Sequence, residues 1–98
     1  MTPGDPTRET ARIDRLLWML RLNKTRSAAQ ALLCEGHVRI NGRRVIRCSQ
    51  PVHAGDVLTL PHDGGVRVIR VLTLPARRGP PTEAHSHYEE IESVSQQA

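Results

Sequence analysis

Cationic side chains with spacing suited to a polyanion are the most informative residues of this sequence. A guanidinium group pairs with phosphate oxygens through two parallel hydrogen bonds, and an ammonium group attracts phosphate as a point charge. Short polar residues beside them add hydrogen-bond donors. The candidate anion-binding residues are Arg12, Arg15, Lys24, Thr25, Arg26, Ser27, Arg39, Asn41, Arg43, Arg44 and Arg47.

Charge is divided unevenly along the chain. Residues 1–78 hold all 14 basic residues and six acidic ones, whereas residues 79–98 hold four acidic residues and no basic one. A basic body with an acidic tail is typical of a nucleic-acid-binding protein, although an anionic membrane surface would also attract such a body. The cations fall at predicted helix ends and on a hairpin instead of along one amphipathic helix, which favours RNA. We expect Glu89, Glu90 and Glu92 to fold back on the basic face and screen non-specific RNA.

Metal and catalytic chemistry have weaker signals. The residue types of a zinc site occur at Cys34, His37, Cys48 and His53. Four such ligands would have to converge from a helix end, a strand and a loop, and the sequence lacks the paired spacing of structural zinc sites. It also lacks a glycine-rich phosphate loop, a nucleophile elbow and a metal-binding helix motif. We therefore predict no catalytic residue, no metal and no cofactor, and we predict that the protein is not an enzyme.

The first element that positions the cations is a helix. Its apolar residues recur at i, i+3, i+4 and i+7, namely Ile13, Leu16, Leu17 and Leu20. This period places them on one helix face. Asp14 is the predicted N-cap, and the helix is expected to end at about Arg21 or Leu22. Arg12 and Arg15 then lie at its start.

A second helix follows almost at once. Thr25 is its predicted N-cap, and Gly36 is the left-handed residue after its end. Its predicted buried face consists of Ala28, Ala29, Leu32 and Leu33. Lys24, Arg26 and Ser27 surround its N-terminus, where free N–H groups favour an anion. The alternative is a capped surface helix whose charges are solvated.

A β-hairpin comes next. Val38 and Ile40 alternate with polar residues, and Asn41-Gly42 is a favoured pair for a type I′ turn. Such a turn places Arg39 directly opposite Arg44 on the outer face. The two like charges repel each other there, and a bound polyanion would reduce this repulsion. The alternative is that both side chains splay into water. Arg43 falls near the turn on the inner face, where its stem packs and its head reaches solvent.

These motifs resemble the RNA-binding domain named after small-subunit ribosomal protein four, called the S-four domain here. The resemblance rests on the runs Arg12-Ile13-Asp14, Lys24-Thr25-Arg26-Ser27 and Gly36-His37-Val38-Arg39-Ile40-Asn41-Gly42, and it covers roughly residues 12 to 60. Within the family, the sequence is most similar to the ribosome-associated heat-shock protein fifteen group. That narrower resemblance rests on Leu17-Trp18, Lys24-Thr25-Arg26, Arg77-Arg78 and Tyr88-Glu89-Glu90.

The resemblance implies an α+β fold, with two short packed helices followed by a β-hairpin and a small, mostly antiparallel sheet. It implies binding of structured RNA (ribosomal RNA or transfer RNA) on the large ribosomal subunit that carries a nascent chain on its tRNA, in recycling or rescue. Longer members of the group end in a basic extension, and this sequence instead ends at Ala98 after an acidic tail. The alternatives are an RNA-targeting subunit for a separately encoded RNA-modifying enzyme and, far behind, a small metal-dependent enzyme or sensor.

The remaining sequence suggests one domain between two weaker segments. We expect residues 1–11 to be a disordered lead-in, residues 12–78 the domain, with its core in 12–60, and residues 79–98 an acidic tail. Strands are predicted over Val57–Leu60 and Val66–Leu74, the latter with a bulge at Val68-Ile69, and a weak helix is predicted from Thr82 to about Ile91. No stretch approaches the roughly 20 apolar residues of a membrane span. We therefore expect a soluble, cytoplasmic protein. We also expect it to be a monomer.

Overall fold

Two helices pack against an antiparallel sheet in this protein, whose structure is a computed structural model that describes residues 9–62 and 64–94. The helices are α1 (Ile13–Met19), α2 (Arg26–Cys34) and the short α3 (Pro81–His85). The strands are β1 (Ala11–Arg12), β2 (Arg39–Ile40), β3 (Arg43–Arg44), β4 (Pro51–Val52), β5 (Val57–His62), β6 (Gly65–Val71) and β7 (Tyr88–Val94).

Five strands form the main sheet in the order β3-β2-β5-β6-β7, and every neighbouring pair is antiparallel. The strands β1 and β4 pair separately and bring the start of α1 beside the loop that follows the hairpin. This arrangement confirms the predicted α+β fold. Pro51 lies opposite Arg12 in β4. A proline is tolerated there because it opens a strand of only two residues at a sheet edge.

The core is aliphatic and lies between the helices and the sheet. Its buried residues come from α1, α2, the hairpin and the long strands, and they include Ile13, Leu16, Leu17, Leu20, Ala29, Leu33, Val38, Val45, Leu58, Ile69 and Val71. The periodic residues predicted for α1 are all buried. Only half of the buried face predicted for α2 is buried in the structure. Ala29 and Leu33 are buried, whereas Leu32 is partly buried and Ala28 is exposed.

The ends of α1 differ from the prediction. Arg12, not Asp14, occupies the N-cap position, and the helix ends at Met19. Arg21 then adopts φ 59°, a left-handed conformation usually taken by glycine at this position. The Leu22 N–H donates to the Leu17 carbonyl at 3.0 Å, which closes the last turn. The early stop therefore comes from a backbone turn that the apolar period did not reveal.

The predicted N-cap of α2, the glycine after its end and the turn of the hairpin are confirmed. The Thr25 hydroxyl accepts a hydrogen bond from the Ala28 N–H at 3.0 Å, and Gly36 follows the helix with φ 78°. Asn41 and Gly42 have φ 51° and 84°, as a type I′ turn requires. In both cases the residues that determine the geometry are adjacent in sequence.

The C-terminal segment is a strand where the sequence predicted a helix. α3 ends at His85, and β7 then pairs with β6 along its length. The predicted bulge is confirmed as a register shift between Val68 and Ile69. Glu89 and Glu90 do not fold back on the basic face as predicted. They lie in β7 and pair with Arg70 and Arg67 of the neighbouring strand β6. The side chain of Glu92 and residues 1–8 of the predicted disordered lead-in lie outside what the structure describes. The end of that lead-in is ordered, because Ala11 of β1 pairs with Val52 of β4.

Candidate nucleic-acid interface

The first cationic cluster is built around Asp14, whose side chain is 0% exposed. Its carboxylate accepts hydrogen bonds from Arg12 Nε (3.2 Å) and Nη2 (3.1 Å), from Gln30 Nε2 (3.0 Å) and from the Arg15 backbone N–H (2.7 Å). Arg26 Nε lies 3.6 Å from the same carboxylate. The side chains of Arg12 and Arg26 are 51% and 45% exposed, so each presents N–H groups to solvent from an anchored position.

The environment of this carboxylate keeps it ionised. Burial raises the pKa of Asp14, but hydrogen bonds from Gln30, Arg12 and the Arg15 N–H, together with the positive charge of Arg12, outweigh that effect. The pKa therefore lies below its ordinary value of 3.8. A buried negative charge with several donors is a fixed support for the two arginines that flank it.

The second cationic cluster lies on the hairpin. Arg39 and Arg44 pair directly across β2 and β3, and both are exposed. The Arg39 guanidinium donates to the Gly42 carbonyl at 3.2 Å, and the stem of Arg44 lies over Gly36 at the end of α2. Arg43 is also exposed beside the turn. The hairpin thus presents at least three guanidinium groups within six residues.

The helix α2 connects the two clusters. Lys24, Thr25 and Ser27 are exposed around its N-terminus, beside the Asp14 cluster, and Gly36 leads from its end into the hairpin. Nine helical residues span about 13 Å. The clusters are therefore separated by roughly the length of one short helix, and both belong to the segment between Arg12 and Arg47.

Two predicted site residues have internal roles. The Thr25 hydroxyl caps α2, as described above. The Asn41 side chain donates to Asp56 at 3.1 Å and accepts from the Val57 N–H at 2.9 Å, which ties the turn to the start of β5. Asn41 therefore holds the hairpin in place through the same amide that was predicted to contact RNA.

Where the structure describes them, the cations outside the predicted site have partners within the protein. Ion pairs join Arg67 to Glu90 (3.2 Å), Arg70 to Glu89 (2.8 Å) and Arg77 to Glu83 (3.3 Å), while Arg21 and Arg78 donate to the carbonyls of Gly79 (2.7 Å) and Trp18 (3.0 Å). Among the side chains that the structure describes, by contrast, no carboxylate lies within 4.0 Å of Arg15, Lys24, Arg39, Arg43, Arg44 or Arg47. Glu83, Glu89 and Glu90 of the acidic segment therefore pair with Arg77, Arg70 and Arg67 and not with these predicted site residues.

The residues considered for zinc do not assemble a ligand set. In the described part of the chain, no three His, Cys, Asp or Glu side chains are placed to hold a metal ion. Cys34 is an exposed thiol, while Cys48 is partly buried and its sulfur lies 3.9 Å from the Gln30 carbonyl. The same ranges contain no helix of the length and apolar character that a bilayer crossing requires.

The two thiols are expected to react at different rates. Burial raises the pKa of Cys48, and the neighbouring Cys34 and Asp14 raise it further. Only the thiolate form of a cysteine attacks a disulfide reagent, so at about pH 8 Cys34 should react first and Cys48 several-fold more slowly. Kinetics with an aromatic disulfide reagent would test this, and the fast phase should vanish in Cys34→Ser. Equal rates for the two thiols would contradict the described burial of Cys48.

Sequence reasoning missed the role of Asp14 and the whole contribution of Gln30. A signal for Asp14 was present, because an acidic residue at the edge of an apolar helix stripe, between Arg12 and Arg15, indicates a buried ion pair. Gln30 had no comparable signal, since its contact with α1 depends on how the two helices pack.

Comparison with known proteins places these features in a family. The family model for the S4 domain, here called the S-four domain, matches residues 11–58. A heat shock protein 15 homolog of Haemophilus influenzae is 35% identical over 82 residues, which are 84% of this chain and 62% of that protein. Heat shock protein 15 of Escherichia coli is 37% identical over 84 residues, with coverages of 85% and 62%. A trimeric structure of Vibrio cholerae heat shock protein 15 superposes with a TM-score of 0.75 at 34% identity, covering 84% of this chain and 82% of that one.

This chain belongs to the S-four domain family. Within the family it is similar to heat shock protein 15, as the short motifs of its sequence predicted. The chain spans about 62% of the length of the curated relatives. S-four domains are RNA-binding modules, and the matched residues include the Asp14 cluster, α2 and the hairpin. The monomeric state predicted for this chain stays a prediction.

Proposed function

We propose that this chain is a non-enzymatic RNA-binding protein that holds structured ribosomal RNA. The proposal rests on the difference between cations that have partners within the protein and cations that do not. Each described cation outside the segment from Arg12 to Arg47 has a partner within the protein, whereas most of those inside it have no described carboxylate partner. The two arginines inside it that do have one, Arg12 and Arg26, are anchored by Asp14 and remain half exposed.

The mode of binding that these residues support is recognition of shape and phosphates. An RNA duplex offers phosphates and 2′-hydroxyls more than readable base edges, which suits two groups of guanidiniums held a helix length apart. Binding of a single strand relies on aromatic platforms. The chain has one Trp and one Tyr, and each already carries an arginine over its ring: Arg78 on Trp18 and Arg67 on Tyr88.

The RNA that we propose is that of the large ribosomal subunit, in the state that still carries a nascent chain on its transfer RNA. The function would be recycling or rescue of such subunits, in the cytoplasm. The similarity to heat shock protein 15 over 84% of the chain supports this assignment. The protein's role in it is positional, since binding requires no covalent step and no cofactor.

A steep salt dependence is expected for this mode of binding. If about six arginines and lysines meet phosphates, log affinity should fall with log salt with a slope of about −4 to −5. Fluorescence anisotropy with a labelled ribosomal RNA hairpin at several salt concentrations would measure the slope. A slope near zero would contradict phosphate recognition by these clusters.

Sedimentation through a sucrose gradient tests the ribosomal assignment. Tagged protein in cell lysate should follow free large subunits, and more of it should do so when translation is stalled. Protein that stays at the top of the gradient, or sediments with small subunits, would contradict the assignment. Co-purification with an RNA-modifying enzyme would instead support the alternative of a targeting subunit.

A further inference from the structure

A groove beside the Asp14 cluster has the size and lining of a site for one nucleotide. Its volume is about 590 Å³, within the range of roughly 300–1,000 Å³ that is usual for small-ligand sites. Arg12, Arg15 and Arg26 line this groove together with the segment from Leu74 to Ala76, so guanidinium groups and apolar side chains share it.

The arginines that line this groove are prepared for an anion. Asp14 holds Arg12 and Arg26 through the contacts described above, and ordering these two side chains therefore costs little when a ligand binds. Glu9 adds one carboxylate to the rim. Three guanidinium groups therefore stand against two carboxylates, those of Glu9 and the buried Asp14, which leaves an excess of one positive charge. A phosphate diester, which carries one negative charge, complements this balance.

The segment from Leu74 to Ala76 suits a base instead of a second phosphate. Pro75 is buried, Leu74 is partly buried, and Ala76 is exposed. A flat heterocycle can pack on the accessible parts of Leu74 and Ala76, and a guanidinium plane can stack on its other face. A continuous duplex offers no base for this purpose, because its bases are paired and stacked.

We propose that this groove binds one unpaired nucleotide, such as a bulged or flipped-out residue, of the structured RNA that the two clusters hold. Its phosphate meets the arginines, and its base lies against the segment from Leu74 to Ala76. The inference rests on the proposed RNA-binding function and adds a feature to its target: a helical RNA interrupted by an extruded base. The hairpin cluster would contact the flanking duplex.

The test compares three short RNA hairpins that differ at one position: a continuous stem, a stem with one bulged nucleotide, and the same bulge lacking its base. The natural protein should bind the bulged stem about tenfold more tightly than the other two, because removing about 50–60 Å² of apolar surface from water contributes a factor of this order. Equal affinity for the bulged and the continuous stem would overturn the inference. So would equal affinity for the two bulges, since the base would then be irrelevant.

Ala76→Leu fills the groove at an exposed position, and Ala31→Leu makes the same change on the exposed side of α2, outside the groove. The ratio of bulged to continuous affinity should fall to about one in Ala76→Leu and persist in Ala31→Leu. Affinity for the continuous stem, unchanged in Ala76→Leu, reports that the variant is folded. A ratio that persists in Ala76→Leu would overturn the inference. Failure of the natural protein to bind any of the three hairpins would overturn the proposed function as well.

Discussion

The double variant Arg39→Ala/Arg44→Ala is expected to bind ribosomal RNA roughly tenfold to a hundredfold more weakly, on the order of 1–3 kcal/mol. Each arginine removed should also lower the salt slope by about one. Stability should be unchanged or slightly higher, because the variant removes two like charges that face each other across the hairpin. Anisotropy titrations and urea unfolding would measure the two effects separately.

The matched control is Arg70→Ala/Arg77→Ala. It removes the same charge from exposed positions, but these two arginines are paired with Glu89 and Glu83. Exposed ion pairs contribute little stability, so the fold should tolerate the change. If the control weakens RNA binding as much as Arg39→Ala/Arg44→Ala does, net charge alone governs affinity. The interface would then not lie on the hairpin.

The elements that sequence reasoning predicted well are those with local causes. Thr25 caps α2 by bonding a backbone N–H three residues away, and Asn41-Gly42 forms its turn because both residues tolerate positive φ. The opposition of Arg39 and Arg44 then follows from the length of the turn. Such features need no knowledge of the rest of the fold.

The C-terminal segment could not be predicted in the same way. The run from Tyr88 to Val94 contains three glutamates and little alternation, so propensity alone gave a weak helix. In the structure β6 supplies both the backbone partners and the countercharges, through Arg67 and Arg70. A strand stabilised by its neighbour leaves only a faint trace in its own residues.

In the candidate site, too, local features could be predicted and contacts between distant residues could not. The types of its cations were evident from the sequence, but whether each is available was not. Arg67 and Arg39 are identical side chains, and only the pairing of β6 with β7 places a carboxylate beside the first. Likewise the groove beside the Asp14 cluster joins residues near position 12 to residues near position 75, which no local pattern connects.

Replacing Asp14 with asparagine is expected to lower the free energy of unfolding by about 2 kcal/mol near neutral pH. The amide has almost the same shape and leaves no cavity, so the loss reflects the missing charge and one missing acceptor beneath Arg12, Arg26 and Gln30. Their partial exposure allows water to replace some of these bonds, which keeps the loss below that of a fully buried pair. Urea unfolding would measure it.

The pH dependence of that loss follows from the lowered pKa of Asp14. The unfolded chain binds this proton more tightly than the folded chain does. The contribution of the carboxylate is therefore complete above the ordinary value of 3.8 and disappears as the pH falls through the lower value of the folded state. The stability difference between the natural protein and Asp14→Asn should accordingly be constant above about pH 5 and shrink below pH 3.8. A difference that grows in acid would contradict the described environment of Asp14.

The direction in which Asp14→Asn changes RNA affinity tests whether Asp14 anchors the two arginines. Loss of a negative charge near the interface would by itself strengthen attraction to phosphates. Release of Arg12 and Arg26 acts in the opposite direction, because binding must then order two long side chains at a cost of about 0.5–1.5 kcal/mol each. We expect the second effect to be larger and affinity to fall about fivefold. The control Glu35→Gln removes an exposed carboxylate at the end of α2 and should leave affinity unchanged or slightly higher. If Asp14→Asn, still folded, bound RNA more tightly than the natural protein, Asp14 would be a source of negative charge and not the support of the two arginines.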